Sequence, residues 1–156
     1  MLVQEILDIY NRIDRAGKVA SLVQELFDAE GLSLDIKEVQ GDEGSTDFVK
    51  VLIPGSEGKS VGGTQPTLGV IGRLGGIGAR PARIGFVSDG DGALSALSIG
   101  LRLARMKNVG DHLKGDVLIT THLCTDAPTM PHDPVPFMGS PVDLDTMNQQ
   151  EVDEAM

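Results

Sequence analysis

Two short apolar runs flank one long helical run, and this order constrains the fold more than any other feature of the chain. Residues 82–87 (ARIGFV) are mostly apolar, as in a buried parallel strand. Ala93, Leu94, Ala96, Leu97, Leu101, Leu103 and Ala104 then dominate residues 92–107. This stretch reads as a helix whose final turns place Arg102, Arg105 and Lys107 against the negative end of its dipole. Asn108 and Gly110 end it, and residues 116–121 (DVLITT) supply a second, β-branched strand. Strand, helix and strand predict a right-handed crossover between parallel strands.

The rest of the chain is arranged around that unit. Leu2, Ile6, Ile9, Tyr10 and Ile13 recur at helical spacing and predict an amphipathic helix over 2–15. Val19, Leu22, Val23, Leu26 and Phe27 continue the pattern, and Gly31 stands where a left-handed cap would stop it. Leu32, Leu34 and Ile36 alternate with polar residues, which predicts a half-buried strand. A turn at 41–44 leads to a returning strand over 48–53. Residues 55–66 have turn chemistry, residues 67–71 read as a short strand, and residues 72–81 lack any period.

The last third changes character. Residues 127–141 hold five of the eight prolines and are expected to form a stiff, extended loop. Residues 143–156 carry five acids and no base, loosely helical and expected to be solvated. Their pattern stops without a glycine cap or a basic last turn. The expectation is therefore a single α/β domain over 1–156, incomplete and forming the N-terminal part of a longer domain.

Composition narrows the function classes. A chain of 156 residues is long enough for one domain with a real core, and with 40% apolar but 3% aromatic residues that core must be aliphatic. A net charge of −10 offers no basic footprint for nucleic acid. No run of 18 apolar residues spans a bilayer, and Glu5 and Asp8 interrupt the N-terminal apolar stretch, which also lacks a basic signal-peptide start. The single cysteine, Cys124, cannot form an internal disulfide and fits a reducing cytoplasm. The expected partner is a small molecule or peptide, not nucleic acid or membrane; homo-oligomerisation is left open. Fourteen of the 20 glycines fall between Gly41 and Gly92, without the three-residue period of collagen.

Parallel α/β sheets bind ligands beyond the carboxyl ends of their strands. The first strand of the predicted unit runs into Asp89 and Asp91; the second runs into His122, Cys124 and Asp126, with His132 and Asp133 further on. His112 precedes that strand and belongs near its other end. Carboxylates and neutral imidazoles suit zinc or another divalent metal, and Gly90 and Gly92 clear bulk from around the aspartates. Beside this stands N-capping of the helix by the aspartates, Asp91 above all. His122 and Cys124 equally suit a buried core, and His132 a solvated loop. Gly55–Ser60 (GSEGKS) resembles the end of a Walker A loop, but the first glycine of that motif would fall on Ile53, and no helix follows. The glycine-rich run 72–78 leads toward a strand, not a dinucleotide-binding helix. Arg73, Arg80 and Arg83 read either as a solvated rim or as a clamp for an anion or carboxylate.

Residues 88–97 (SDGDGALSAL) resemble the aspartate-glycine turn of the di-zinc exopeptidase clan, with Asp89 in the place of its metal-bridging aspartate. The resemblance covers roughly residues 82–126. It implies paired glutamates after the next strand and an upstream histidine-x-aspartate motif. Here His122-Leu123-Cys124-Thr125-Asp126 and Arg73-Leu74-Gly75-Gly76 stand in those places. Residues 75–81 (GGIGARP), 87–92 (VSDGDG), 121–136 (THLCTDAPTMPHDPVP) and 137–143 (FMGSPVD) resemble the hallmark segments of domain-of-unknown-function family 1177. That resemblance spans nearly the whole chain and implies a longer family domain.

Together these features predict a three-layer α/β fold with a mixed, partly parallel sheet, zinc-exopeptidase-like. The expected activity is metal-dependent hydrolysis of an amide or small peptide. Asp89, His122 and Asp126 are the expected metal ligands, zinc the expected ion, and Asp91 and His132 the candidate acid–base groups. The alternative is a non-catalytic ligand-binding or assembly protein that retains the exopeptidase-like fold.

Overall fold

The computed structural model describes residues 2–79, 86, 88–134 and 136–156. Helices α1 (Val3–Ile13) and α2 (Ala20–Asp28) precede strands β1 (Asp35–Gly41), β2 (Gly44–Ile53) and β3 (Leu68–Gly72). Helix α3 (Asp91–Asn108) leads to β4 (Val117–Leu123), then to the two-residue strands β5 (Thr129–Met130) and β6 (Phe137–Met138), and to α4 (Leu144–Glu151). The main sheet has the order β1-β2-β4-β3, with β3 and β4 parallel and the other neighbours antiparallel.

The strand–helix–strand unit is present, but its first strand is β3. The strand expected over 82–87 lies, apart from Phe86, outside the described residues. Glycines 69 and 72 leave β3 little side-chain pattern, and Gly72 is required by the close approach of α3. A Cβ at Gly72 would stand 2.5 Å from the carbonyl oxygen of Gly92 and 2.8 Å from Ala96 Cβ, so α3 would be pushed off the sheet.

Beyond β3 the glycine-rich run does not wander as a loop. Cys124 N donates to Gly75 O (2.9 Å), Ile77 N to Cys124 O (2.8 Å) and Ala127 N to Gly78 O (3.0 Å). Parallel bridges join Gly76 to Cys124 and Ala79 to Ala127. The segment thus extends the β3–β4 pairing past both strands.

Alternation along the strands sorts side chains into two layers. Val49, Val51, Ile53, Val117, Ile119 and Leu123 meet α3 together with Ile9, Ile13, Val23 and Phe27 of α1 and α2, giving an aliphatic core. On the other face Phe48, Val142 and Met147 form a smaller core with Val39. Thr120 and His122 point to that side too, where Thr120 Oγ1 donates to Glu151 O at 2.8 Å. Helices, sheet and α4 make the three layers expected.

Arg105 ties the helical layer together. It pairs with Glu5 (3.4 Å) and Asp8 (2.8 Å) of α1 and with Glu30 (3.1 Å) after α2. Burial opposes the charge of Glu5. Its own backbone amide and the Arg105 and Arg102 guanidinium groups outweigh that penalty and hold the carboxyl below its ordinary range.

Four local expectations are corrected. Strand β1 starts at Asp35, not Leu32, because Leu32 N is held by Phe27 O (2.9 Å) and Leu34 N by Gln24 Oε1 (3.0 Å), which fastens that stretch to α2. Strand β4 runs to Leu123, so His122 lies within it. Neither aspartate caps α3: Gly90 is its N-cap residue with no side-chain cap bond, and Leu74 O accepts from Ala93 N at 2.7 Å. The terminal acids are not simply solvated. Asp143 accepts from Thr146 N (2.7 Å) to cap α4, Asp153 pairs with Lys50 (3.0 Å), and Glu151 is fully buried. Gly31, at φ +74°, is left-handed as predicted.

Candidate functional site

The Walker-like stretch binds an anion, but one belonging to the chain itself. The buried carboxylate of Asp116 accepts from Gly55 N (2.9 Å), Ser60 N (2.8 Å) and Ser60 Oγ (2.7 Å). Burial opposes its charge, yet these donors and the Lys59 amide outweigh it and keep the carboxyl below its usual range. A Cβ on Gly58 would collide with the same carboxylate, which accounts for that glycine. The cradle is structural.

A cavity of about 410 Å³ opens at the carboxyl ends of β3 and β4. Arg73 and the Leu74–Gly76 backbone form one side and His122 and Cys124 another. Asp89 enters from the turn before α3, and Met130, Phe137, Met138, Leu144 and Met147 close the rest with apolar surface. Gly76 N donates to Asp89 O at 3.0 Å, fixing the Asp89 backbone to the glycine segment. A Cβ on Gly75 would collide with His122 O, so only glycine lets this wall approach the histidine.

His122 is held by the last residue of α4. Its Nδ1 lies 2.7 Å from Glu151 Oε1, and Glu151 Oε2 lies 2.6 Å from Arg73 Nε. Arg73 Nη2 also donates to Asn148 Oδ1 (2.9 Å). Arg73 is therefore a carboxylate clamp whose carboxylate is internal. The tail expected to be solvated thus contributes a buried carboxylate, Glu151. The available signal was its spacing four residues after Met147, since both are buried on one face of α4.

The expected site residues separate. Asp89 and His122 line the same cavity. Asp126 does not: it lines a second cavity of about 220 Å³ with Lys18, Glu38, Asp47 and Leu123. Leu123 and Asp47 belong to the opposite face of the sheet from His122. There the Asp47 carboxyl is pushed up by burial and by the nearby charge of Glu38. Asp91 is exposed in the first turn of α3, and His132 is exposed in the β5–β6 connection beside Phe137 (ring centroids 6.4 Å); neither lines the 410 Å³ cavity. His112 lies at the other end of β4, as expected. Arg80 and Arg83 fall outside the described residues. Among the described residues no three histidine, cysteine, aspartate or glutamate side chains converge as a metal-holding group. The trio Asp89, His122 and Asp126 is thus not assembled, because the chain crosses to the other face after β4.

No helix among the described residues is long and apolar enough to cross a membrane. In fold the chain is similar to the leucine aminopeptidase of Caenorhabditis elegans. The TM-score is 0.52 at 11% identity, over 90% of this chain and 32% of that one. The likeness is one of fold and bears out the exopeptidase-like α/β architecture; the chain spans about a third of that aminopeptidase. No curated protein matches the sequence. Residues 37–156 match the family described as "Protein of unknown function (DUF1177)", and the chain belongs to that family.

Proposed function

We propose that this protein is hydrolase-like and takes a small amide or peptide into the cavity at the ends of β3 and β4. One observation carries the reading: Asp89 and His122 line that single cavity, and His122 is oriented by a buried carboxylate 2.7 Å from Nδ1. With Glu151 accepting from Nδ1–H, the neutral ring of His122 keeps its lone pair on Nε2. A ring in that state takes a proton from an attacking water, while Glu151 stabilises the imidazolium that results. Asp89 supplies negative charge for a cationic or hydrogen-donating part of the ligand. A zinc ion would draw on Asp89 and His122. Among the described residues no third donor joins them. A cytoplasmic setting suits the reading and rests on Cys124 being the single cysteine, which cannot close an internal disulfide.

Calorimetric titration with leucinamide and a panel of dipeptides tests the proposal. Saturable binding is expected, weakened roughly tenfold or more in Asp89→Asn, where a charge-assisted contact is lost. Turnover is expected to fall about 10²–10⁴-fold in His122→Gln. Absence of binding across the panel overturns the reading. The separation of Asp126 from His122 favours a second reading, a binding protein without chemistry. Binding with no turnover, with or without added zinc, would select it.

A further inference from the structure

Resting on that reading of the cavity, we infer that its ligand is an unblocked amino acid or dipeptide with a bulky apolar side chain. Both charged termini are recognised: Asp89 takes the amine and Arg73 takes the carboxylate. The two charges stand in different states. Among the described residues Asp89 has no ion-pair partner, although it is only partly exposed and lines the cavity. Arg73 is anchored but not exhausted. Its Nε faces Glu151 and its Nη2 faces Asn148, while a guanidinium has five N–H donors in a fixed fork. The donors on Nη1 stand outside both contacts, and the side chain is 36% exposed where it lines the cavity. Glu151 thus holds the fork still, which lowers the entropy lost when a ligand carboxylate docks on it.

The apolar wall supplies the third element. Leu74, Met130, Phe137 and Leu144 are 48%, 47%, 58% and 63% exposed, and all four line this one cavity. Large apolar side chains exposed around a single concavity mark a ligand-binding surface. The methionine among them adapts its shape to the group it meets. At about 410 Å³ the cavity lies within the range of small-molecule sites, roughly 300–1,000 Å³. A zwitterion carries no net charge for a chain of net charge −10 to repel.

The test compares four ligands on the wild-type protein by calorimetry: Leu-Leu, its N-acetyl form, its C-terminal amide, and Gly-Gly. Each block is expected to weaken binding roughly tenfold or more, as is loss of the side chains. Arg73→Gln should erase the difference between Leu-Leu and its amide while keeping the penalty for acetylation. Asp89→Asn should do the reverse. The wild-type comparison decides the inference without any variant, and Arg73→Lys keeps the cation against Glu151 as a folding control. Equal binding of free and blocked forms overturns the inference and leaves the cavity reading standing. Binding of none of the four overturns both.

Discussion

Glu151 reaches back 29 residues to hold His122, Oε1 to Nδ1 at 2.7 Å, while its other oxygen lies 2.6 Å from Arg73 Nε. The carboxylate is fully buried, so removing it leaves His122 Nδ1 without its acceptor and Arg73 without its buried counter-charge. Breaking a buried pair from one side costs about 3–5 kcal/mol. The lower end applies to Glu151→Ala here because Arg73 is partly exposed. Glu151→Gln keeps one acceptor for Nδ1 and should lose less. Urea midpoints order the variants, and ¹⁵N spectra should show the His122 ring leaving its Nδ1–H form in Glu151→Ala. An unchanged midpoint in that variant would refute the assignment.

Asp116 gives the fold an acid-sensitive joint. Its folded carboxyl titrates below its unfolded value because the Gly55, Ser60 and Lys59 donors outweigh burial. The unfolded chain therefore binds the proton first on acidification. The contribution of Asp116 is complete above the unfolded value of about 3.9 and is lost as pH falls from there toward the folded value. Asp116→Asn should lower stability near neutrality by about 1–3 kcal/mol and flatten this part of the acid limb. Denaturation midpoints between pH 3 and pH 7 measure both. A variant as steep as wild type would show that other groups carry the slope.

Arg105 meets three carboxylates from α1 and the end of α2, and Glu5 among them is buried. Arg105→Met keeps most of the stem packing but leaves the Glu5 charge to Arg102 alone, 3.7 Å away. A loss of about 1–3 kcal/mol is expected. Glu5→Gln in the same background should recover part of it. A double-mutant cycle reads the coupling, and additive losses would deny the pair any net role.

Gly75→Ala would drive a methyl group into the carbonyl of His122. Backbone cannot yield as a side-chain tip does, so a loss of about 1–3 kcal/mol is expected, as for overpacked interiors. Weaker dipeptide binding should accompany it. Gly62→Ala is the useful contrast, since nothing lies within 4 Å there and only its left-handed φ of +82° is at stake. Equal binding by wild type and Gly75→Ala would separate this glycine from the site.

Local pattern made α1, α2, α3 and the core of β4 readable, because their apolar periods are undisturbed by other demands. Strand β3 is legible as a short strand but not as the parallel partner of β4, since Gly69 and Gly72 thin its side-chain pattern and Gly72 serves the close packing of α3. The site was half legible. Asp89 and His122 share a cavity as their places near strand ends suggested. Asp126, four residues beyond His122, follows the chain to the other face of the sheet. Glu151 was hidden for a different reason: its partners stand on β4 and just after β3, and no short-range period encodes that meeting.

The hydrogen bonds that run from Gly75 to Gly78 against Cys124 and Ala127 have a consequence for how this cavity varies. Its floor is main chain stitched to main chain, with the Asp89 carbonyl sewn to the same seam. Side chains on the β5–β6 and α4 walls, such as Met130, Phe137 and Leu144, can therefore be exchanged without shifting the backbone that carries Asp89 and His122. Under the proposed function, the scaffold separates what a ligand looks like from how it is handled.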